Sequence, residues 1–170
     1  MSEESSVRSV AAPVLRDAGV VLAWFVVSAV VAAVVWWQVT PLPVFTRTHT
    51  GAEMNPVQLG KRVAVDGWYF VLAVGFGVVS GVVLTAWRRR DPIFTVLLVA
   101  CGAGLAGWLA ARLGLWLGPA SPKEVLGRLA AGQHAPVQLA LSAQGAQLVW
   151  PMAALLGAVG VLWGTAADNR

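Results

Sequence analysis

Four long stretches of this 170-residue chain carry no charge, and any fold must find a place for them. They run from Ala18 to Val39, from Gly67 to Trp87, from Ile93 to Ala111 and from Gly145 to Gly164. Each is close to the roughly 20 apolar residues that cross a ~30 Å hydrocarbon core. The lipid interior offers backbone groups no water, so such stretches cross it as helices. Composition agrees: 58% of residues are hydrophobic and 12% charged, against about 45–50% and about 25% in soluble domains. The expected class is an all-α membrane protein built on a four-transmembrane-helix bundle.

The segments follow from the charges. A tail over 1–17 leads to a first span at 18–39, an outer loop at 40–65 and a second span at 66–87. A turn at 88–91, a third span at 92–117, a second outer loop at 118–144, a fourth span at 145–164 and a tail at 165–170 complete the chain. The first run is longer than the 7–15-residue apolar core of a cleavable signal, and "WWQVTPLP" after it has no small-x-small cleavage site. It therefore reads as a span. Basic residues divide evenly between the two sides, so density decides the orientation. Arg88, Arg89 and Arg90 crowd a very short turn, which the positive-inside rule places in the cytoplasm. The expectation is a multi-pass protein of the plasma membrane with both termini cytoplasmic. Among the nine tryptophans, Trp36, Trp37, Trp68 and Trp116 fall at outer span ends, and Trp87 and Trp163 at inner ends. That is where an apolar ring with one N–H donor anchors best.

The two outer loops are too long to be bare turns. "SPKEVLGRLAAG" predicts a short amphipathic helix with Ser121 as N-cap, Pro122 in the first turn, Glu124 as reciprocal partner and Gly132 as terminator. "VFTRTHTG" (44–51) is rich in β-branched residues, and Val63–Val65 and Val137–Leu141 alternate with strand period. These predict β-strands that pair segments of both loops, so the bundle should carry a small outer cap of one short helix and strands.

Pro-Val-Gln-Leu occurs twice, from Pro56 and from Pro136. The first copy precedes a tryptophan by twelve residues and the second by fourteen. In a chain so rich in Val, Leu and Ala, one such coincidence is expected on the order of once. The motif reads as an outer-loop strand and does not establish a duplication.

Residues that could carry chemistry are few. His49, His134 and Glu53 lie on the outer side without any metal-ligand spacing, and Cys101 sits inside an apolar span where a thiol is protonated and inert. There is no nucleophile–base set, no phosphate-binding glycine loop and no paired carboxylate, so no catalytic residue, cofactor or metal is assigned and an enzyme is not expected. The basic balance, pI ≈ 10.2, comes without a basic stripe and does not predict nucleic-acid binding. Gly77, Gly81, Ala103, Gly107, Gly160 and Gly164 recur at the spacing that lets helices approach closely in lipid. Asp66 and Arg112 sit at the outer ends of spans two and three. The short turn makes those spans antiparallel neighbours, so these two charges are expected to pair and to register the hairpin.

The stretches "VDGWYFVLAVGFGVVSGVVLTAWRRRDP" (65–92) and "GQHAPVQLALSAQGAQLVWPMAALLG" (132–157) resemble an uncharacterised actinobacterial family of small four-span membrane proteins. The matching positions are Gly132, Pro136, Leu139, Trp150 and Pro151, with Asp66 and Gly67 opening the second span. The resemblance covers spans two to four and implies topology; it implies no activity. The functional expectation is a non-enzymatic accessory, assembly or scaffold subunit of a plasma-membrane complex, with the bilayer and other membrane subunits as partners. The alternative is a small lipid- or solute-binding or transport protein with a cavity between the spans.

Overall fold

The computed structural model describes residues 2–88, 91–143 and 145–168 of the chain. It is mostly helical, and four of its helices are long and apolar enough to cross a membrane. α1 (Ser2–Val39) leads to β1 (Val44–Arg47), β2 (Ala52–Glu53), α2 (Pro56–Trp87) and α3 (Pro92–Leu117). Then come α4 (Pro122–Leu126), β3 (His134–Pro136), a 3-10 turn (Ala146–Leu148) and α5 (Val149–Asp168). The expected tail at 1–17 is thus already helical from Ser2. Arg89 and Arg90, two members of the basic turn, lie outside the described residues.

Helix starts follow local chemistry. The Asn55 carboxamide accepts from the Gln58 N–H at 2.9 Å, and Pro56 takes the first helical position, where its missing N–H costs nothing. Asp91 and Pro92 repeat this at α3, with the Asp91 carboxylate accepting from the Phe94 N–H at 3.1 Å. The first Pro-Val-Gln-Leu is therefore the opening turn of α2, and Val63 and Val65 are helical rather than strand. The 32 residues of α2 span about 48 Å at ~1.5 Å per residue. That exceeds a ~30 Å apolar layer, so the first turns of α2 stand among the loops. Pro151 falls in the first turn of α5, where proline breaks no internal bond.

The loops do build a sheet. β1 is its centre, antiparallel to β2 (Thr46 opposite Glu53) and to β3 (Phe45 opposite Ala135, Thr46 opposite His134). Segments from both loops are thereby sewn together, as expected. Of the second Pro-Val-Gln-Leu, only Pro136 is strand; the Val137 N–H still donates to the Pro43 carbonyl at 2.8 Å, and Leu139 is fully buried. α4 is shorter than expected and ends before Gly127. Ser121 starts it without a side-chain cap bond, and the proposed partnership with Glu124 reduces to the Glu124 N–H on the Ser121 carbonyl. Gly132, with φ +88°, instead turns the chain so that its N–H reaches the Arg47 carbonyl at 2.8 Å.

Glycines decide which helices pair. A Cβ on Gly77 would stand 2.8 Å from Ala153 Cβ, one on Gly81 would overlap the Ala154 carbonyl, and one on Gly157 would press Val78 from the other side. These contacts weld α2 to α5. Gly102 receives the Phe25 ring and Gly114 the Trp36 ring, joining α3 to α1. α2 and α5 are the closest pair, followed by α1 with α3 and α3 with α5; α2 and α3, though joined by the short turn, meet less extensively. The expectation that α2 and α3 would be the registering neighbours is corrected by this order. Close backbone approach outweighed proximity in sequence. Phe25 and Val99 lie deep in the core, and Trp36 and Trp150 close its cap-side end; all four are fully buried.

Candidate functional site: the cap and its seam with the bundle

Asp66 does not meet Arg112. Its two carboxylate oxygens accept from consecutive backbone N–H groups of the second loop, Ser142 at 2.9 Å and Ala143 at 3.1 Å. One turn earlier on α2, Arg62 Nε donates to Ser142 Oγ at 3.3 Å. A carboxylate on two adjacent amides is a charge-assisted clamp, and here it holds the second loop to α2. Arg112 lies on the exposed side of α3 with its guanidinium over the Trp108 ring, 5.5 Å from the centroid. The structure thus replaces the expected ion pair with two separate roles. The cause is the helix order, which turns these faces of α2 and α3 away from each other.

Further contacts fix the cap. Trp36 Nε1 donates to the Val65 carbonyl at 3.0 Å, and its ring meets Tyr69 edge-on with centroids 5.3 Å apart. Tyr69 in turn donates to the Gly107 carbonyl at 2.8 Å. Arg47 at the end of β1 donates to the Leu126 carbonyl, tying α4 to the sheet. Val44 N–H donates to the Gln58 side chain at 2.9 Å, tying the sheet to α2. Phe45 and Ala135 are buried on one side of the sheet. On the other side, Thr46, Glu53, Met54, Asn55, Gln58 and His134 line an open cleft of about 590 Å³. Thr46 Oγ1 and His134 Nδ1 are 2.8 Å apart across the strands.

Glu53 and His134 therefore share this cleft, while His49 does not line it. Among the described residues no group of three or more His, Cys, Asp or Glu is gathered for a metal. Cys101 is exposed, in a shallow apolar groove of about 250 Å³ with Ala18, Val21, Leu22 and Leu98. Of the expected packing residues, Gly77, Gly81, Ala103 and Gly107 are at helix contacts. Gly160 and Gly164 are not: a Cβ on either would meet nothing within 4 Å. They lie on the exposed face of α5 beside Trp163.

Several partners escaped the sequence reading. Arg88, read only as a topology signal, pairs with Asp17 at 3.0 Å and covers the Phe94 ring at 5.3 Å. Trp24 Nε1 donates to the buried Ser80 Oγ at 3.0 Å, linking α1 to α2 midway along both. Gly102, Gly114 and Gly118 receive large side chains and were visible in sequence only as glycines off the chosen spacing. Comparison with protein-family models, curated proteins and solved structures found no match to this chain.

Proposed function

We propose that the protein is a non-enzymatic, multi-pass subunit of a plasma membrane, an accessory or scaffold element that presents its cap to a partner. With the Arg88 turn and both termini cytoplasmic, the cap faces outward. One observation carries this reading: polar architecture concentrates in the cap, whereas the space between the helices is occupied by Phe25, Trp36, Trp150 and glycine–backbone contacts. A transporter needs a polar path through the middle, and here Phe25 and closely packed alanines (Ala29, Ala73, Ala103, Ala154) close it. The cap, in contrast, is held by Asp66, Arg47, Gln58 and Trp36, so its open cleft is preorganised for a partner. Gly160 and Gly164 on the exposed face of α5 supply a second place where another span could approach.

The competing reading is a small lipid binder, favoured by the apolar groove between α1 and α3 around Cys101. Mild-detergent affinity purification from the native host, followed by mass spectrometry, separates the two. A stoichiometric membrane partner supports the accessory reading. Recovery of the chain alone, with a lipid held in the groove around Cys101, supports the alternative and counts against the first.

A further inference from the structure

Among the described residues, none accepts a hydrogen bond from the Arg112 guanidinium. α3 is uncharged from Ile93 to Ala111, and Arg112 follows Pro92 by twenty residues, about 30 Å of helix at ~1.5 Å per residue. It therefore stands where the apolar layer gives way to headgroups. The side chain is exposed and leans one turn back over Trp108, 5.5 Å from the ring centroid. The ring face lowers the cost of the charge, but it offers no oxygen to the five guanidinium N–H donors. Asp66, the carboxylate at similar depth, is committed to Ser142 and Ala143. Among the described residues the ion pair formed is Asp17–Arg88, at the other end of the bundle. No described residue answers this charge, and an anionic ligand can.

Around the guanidinium lies a shallow pocket of about 300 Å³, lined by Trp108, Leu109, Arg112, Leu113 and Trp116. Its walls are apolar and its single charge is positive. Trp116 is strongly exposed one turn above Arg112, at the height where indole rings settle among headgroups. A ligand that fits has an anionic oxygen cluster at the interface and hydrocarbon running toward the bundle's middle. We infer that this pocket holds an anionic phospholipid, its phosphate bound by Arg112 and its upper acyl chain lying along Leu109 and Trp108. Guanidinium binds phosphate through two parallel N–H···O bonds, which a lysine ammonium cannot reproduce. An anionic headgroup is preferred because a zwitterionic one brings its own cation to compete with Arg112. The inference rests on the membrane embedding proposed above and not on the accessory role.

The test uses the full chain in mild detergent and native mass spectrometry, with phosphatidylglycerol and phosphatidylcholine titrated separately. One phosphatidylglycerol should persist at activation energies that strip phosphatidylcholine. Arg112→Gln should lower its occupancy about fivefold, as expected for one basic residue at an anionic surface, and Arg112→Lys should fall between. Lys123→Gln, an exposed cation on α4, should leave it unchanged. A second measurement needs no charge variant. In nanodiscs, brominated phosphatidylglycerol should quench the tryptophans more than brominated phosphatidylcholine, and the Trp108→Phe/Trp116→Phe double variant should lose that difference. Equal retention by Arg112→Gln, or equal quenching by both lipids in the unsubstituted chain, overturns the inference. So does an Arg112→Gln chain that keeps its lipid but loses a co-purifying protein, because a partner carboxylate would then answer the charge. Failure to float with liposomes overturns the membrane embedding and this site with it; flotation without headgroup preference overturns this site alone.

Discussion

Asp17 and Arg88 form an ion pair, 3.0 Å between Oδ2 and Nη2, that ties the first helix to the end of the second. The two positions are remote in sequence, and no spacing rule joins them. The Arg88 side chain is 12% exposed and that of Asp17 40%. Arg88 therefore carries the larger desolvation cost, and its position over Phe94 gives it packing as well as charge. Asp17→Ala should lower stability by about 1 kcal/mol, the scale of a partly exposed pair. Arg88→Ala should cost about 2 kcal/mol, because the cation–π contact goes too. Thermal unfolding in detergent measures both, and the double variant should fall short of their sum by about 1 kcal/mol. Strict additivity would show that the pair contributes nothing beyond its separate members.

The Asp66 clamp has a different signature. Asp66→Ala removes two charge-assisted bonds to backbone, but the site is open to water. The loss should be about 1–2 kcal/mol rather than the larger value of a buried site. Its local reading is sharper: amide exchange at Ser142 and Ala143 should accelerate in Asp66→Ala, while the amides of α5 keep their protection. Asp66→Ala combined with Arg112→Ala should be additive within about 0.5 kcal/mol. A coupling above about 1 kcal/mol would restore the direct pair that the sequence suggested and the structure does not contain.

That contrast shows where the sequence was readable. Uncharged runs name the four helices because length and apolarity act locally, and β-branched residues betray β1 for the same reason. The start of α2 at Asn55-Pro56, with both a cap and a first-turn proline, is missed by the expectation of loop over 40–65, and the alternation of Val63 and Val65 points to strand. The two Pro-Val-Gln-Leu copies then take different structures because their flanks differ. Asparagine caps the first, whereas the second follows a residue already in the sheet. What remained hidden depends on partners that leave no mark in sequence. Asp66 binds backbone N–H groups, which every residue but proline carries. Glycine spacing shows that a helix has a smooth stripe but not which neighbour presses on it.

The stripes can be separated by substitution. Gly81→Ala would drive a Cβ into the Ala154 carbonyl, and helix backbones cannot yield as a flexible side chain can. Overpacking on this scale costs about 1–3 kcal/mol or more, and Gly81→Leu should prevent assembly of α2 with α5. Gly160→Ala meets nothing within 4 Å and should gain up to about 1 kcal/mol of helix propensity. Unfolding of the purified chain gives both signs. If Gly160→Ala leaves the isolated protein intact yet removes a co-purifying partner, that face of α5 is the docking stripe. An isolated chain destabilised by Gly160→Ala would instead reveal a contact between copies.

Orientation completes the set. Helix directions place the Arg88 turn at one end of the bundle and the sheet at the other. The proposed topology puts the sheet end outside the cell. Single cysteines should report this in a Cys101→Ala background, which removes the exposed native thiol. Thr48 follows β1 and Ala131 precedes β3, so both mark the cap. Ala167 lies in the last turn of α5, at the other end. In intact cells an impermeant maleimide should label Thr48→Cys and Ala131→Cys but not Ala167→Cys, which should react only after lysis. Because β1 and β3 are paired, the two cap positions must behave alike; labelling of one without the other would break the sheet itself. Labelling at Ala167→Cys alone would invert the protein, placing the cap and its cleft in the cytoplasm. A partner would then have to be sought there.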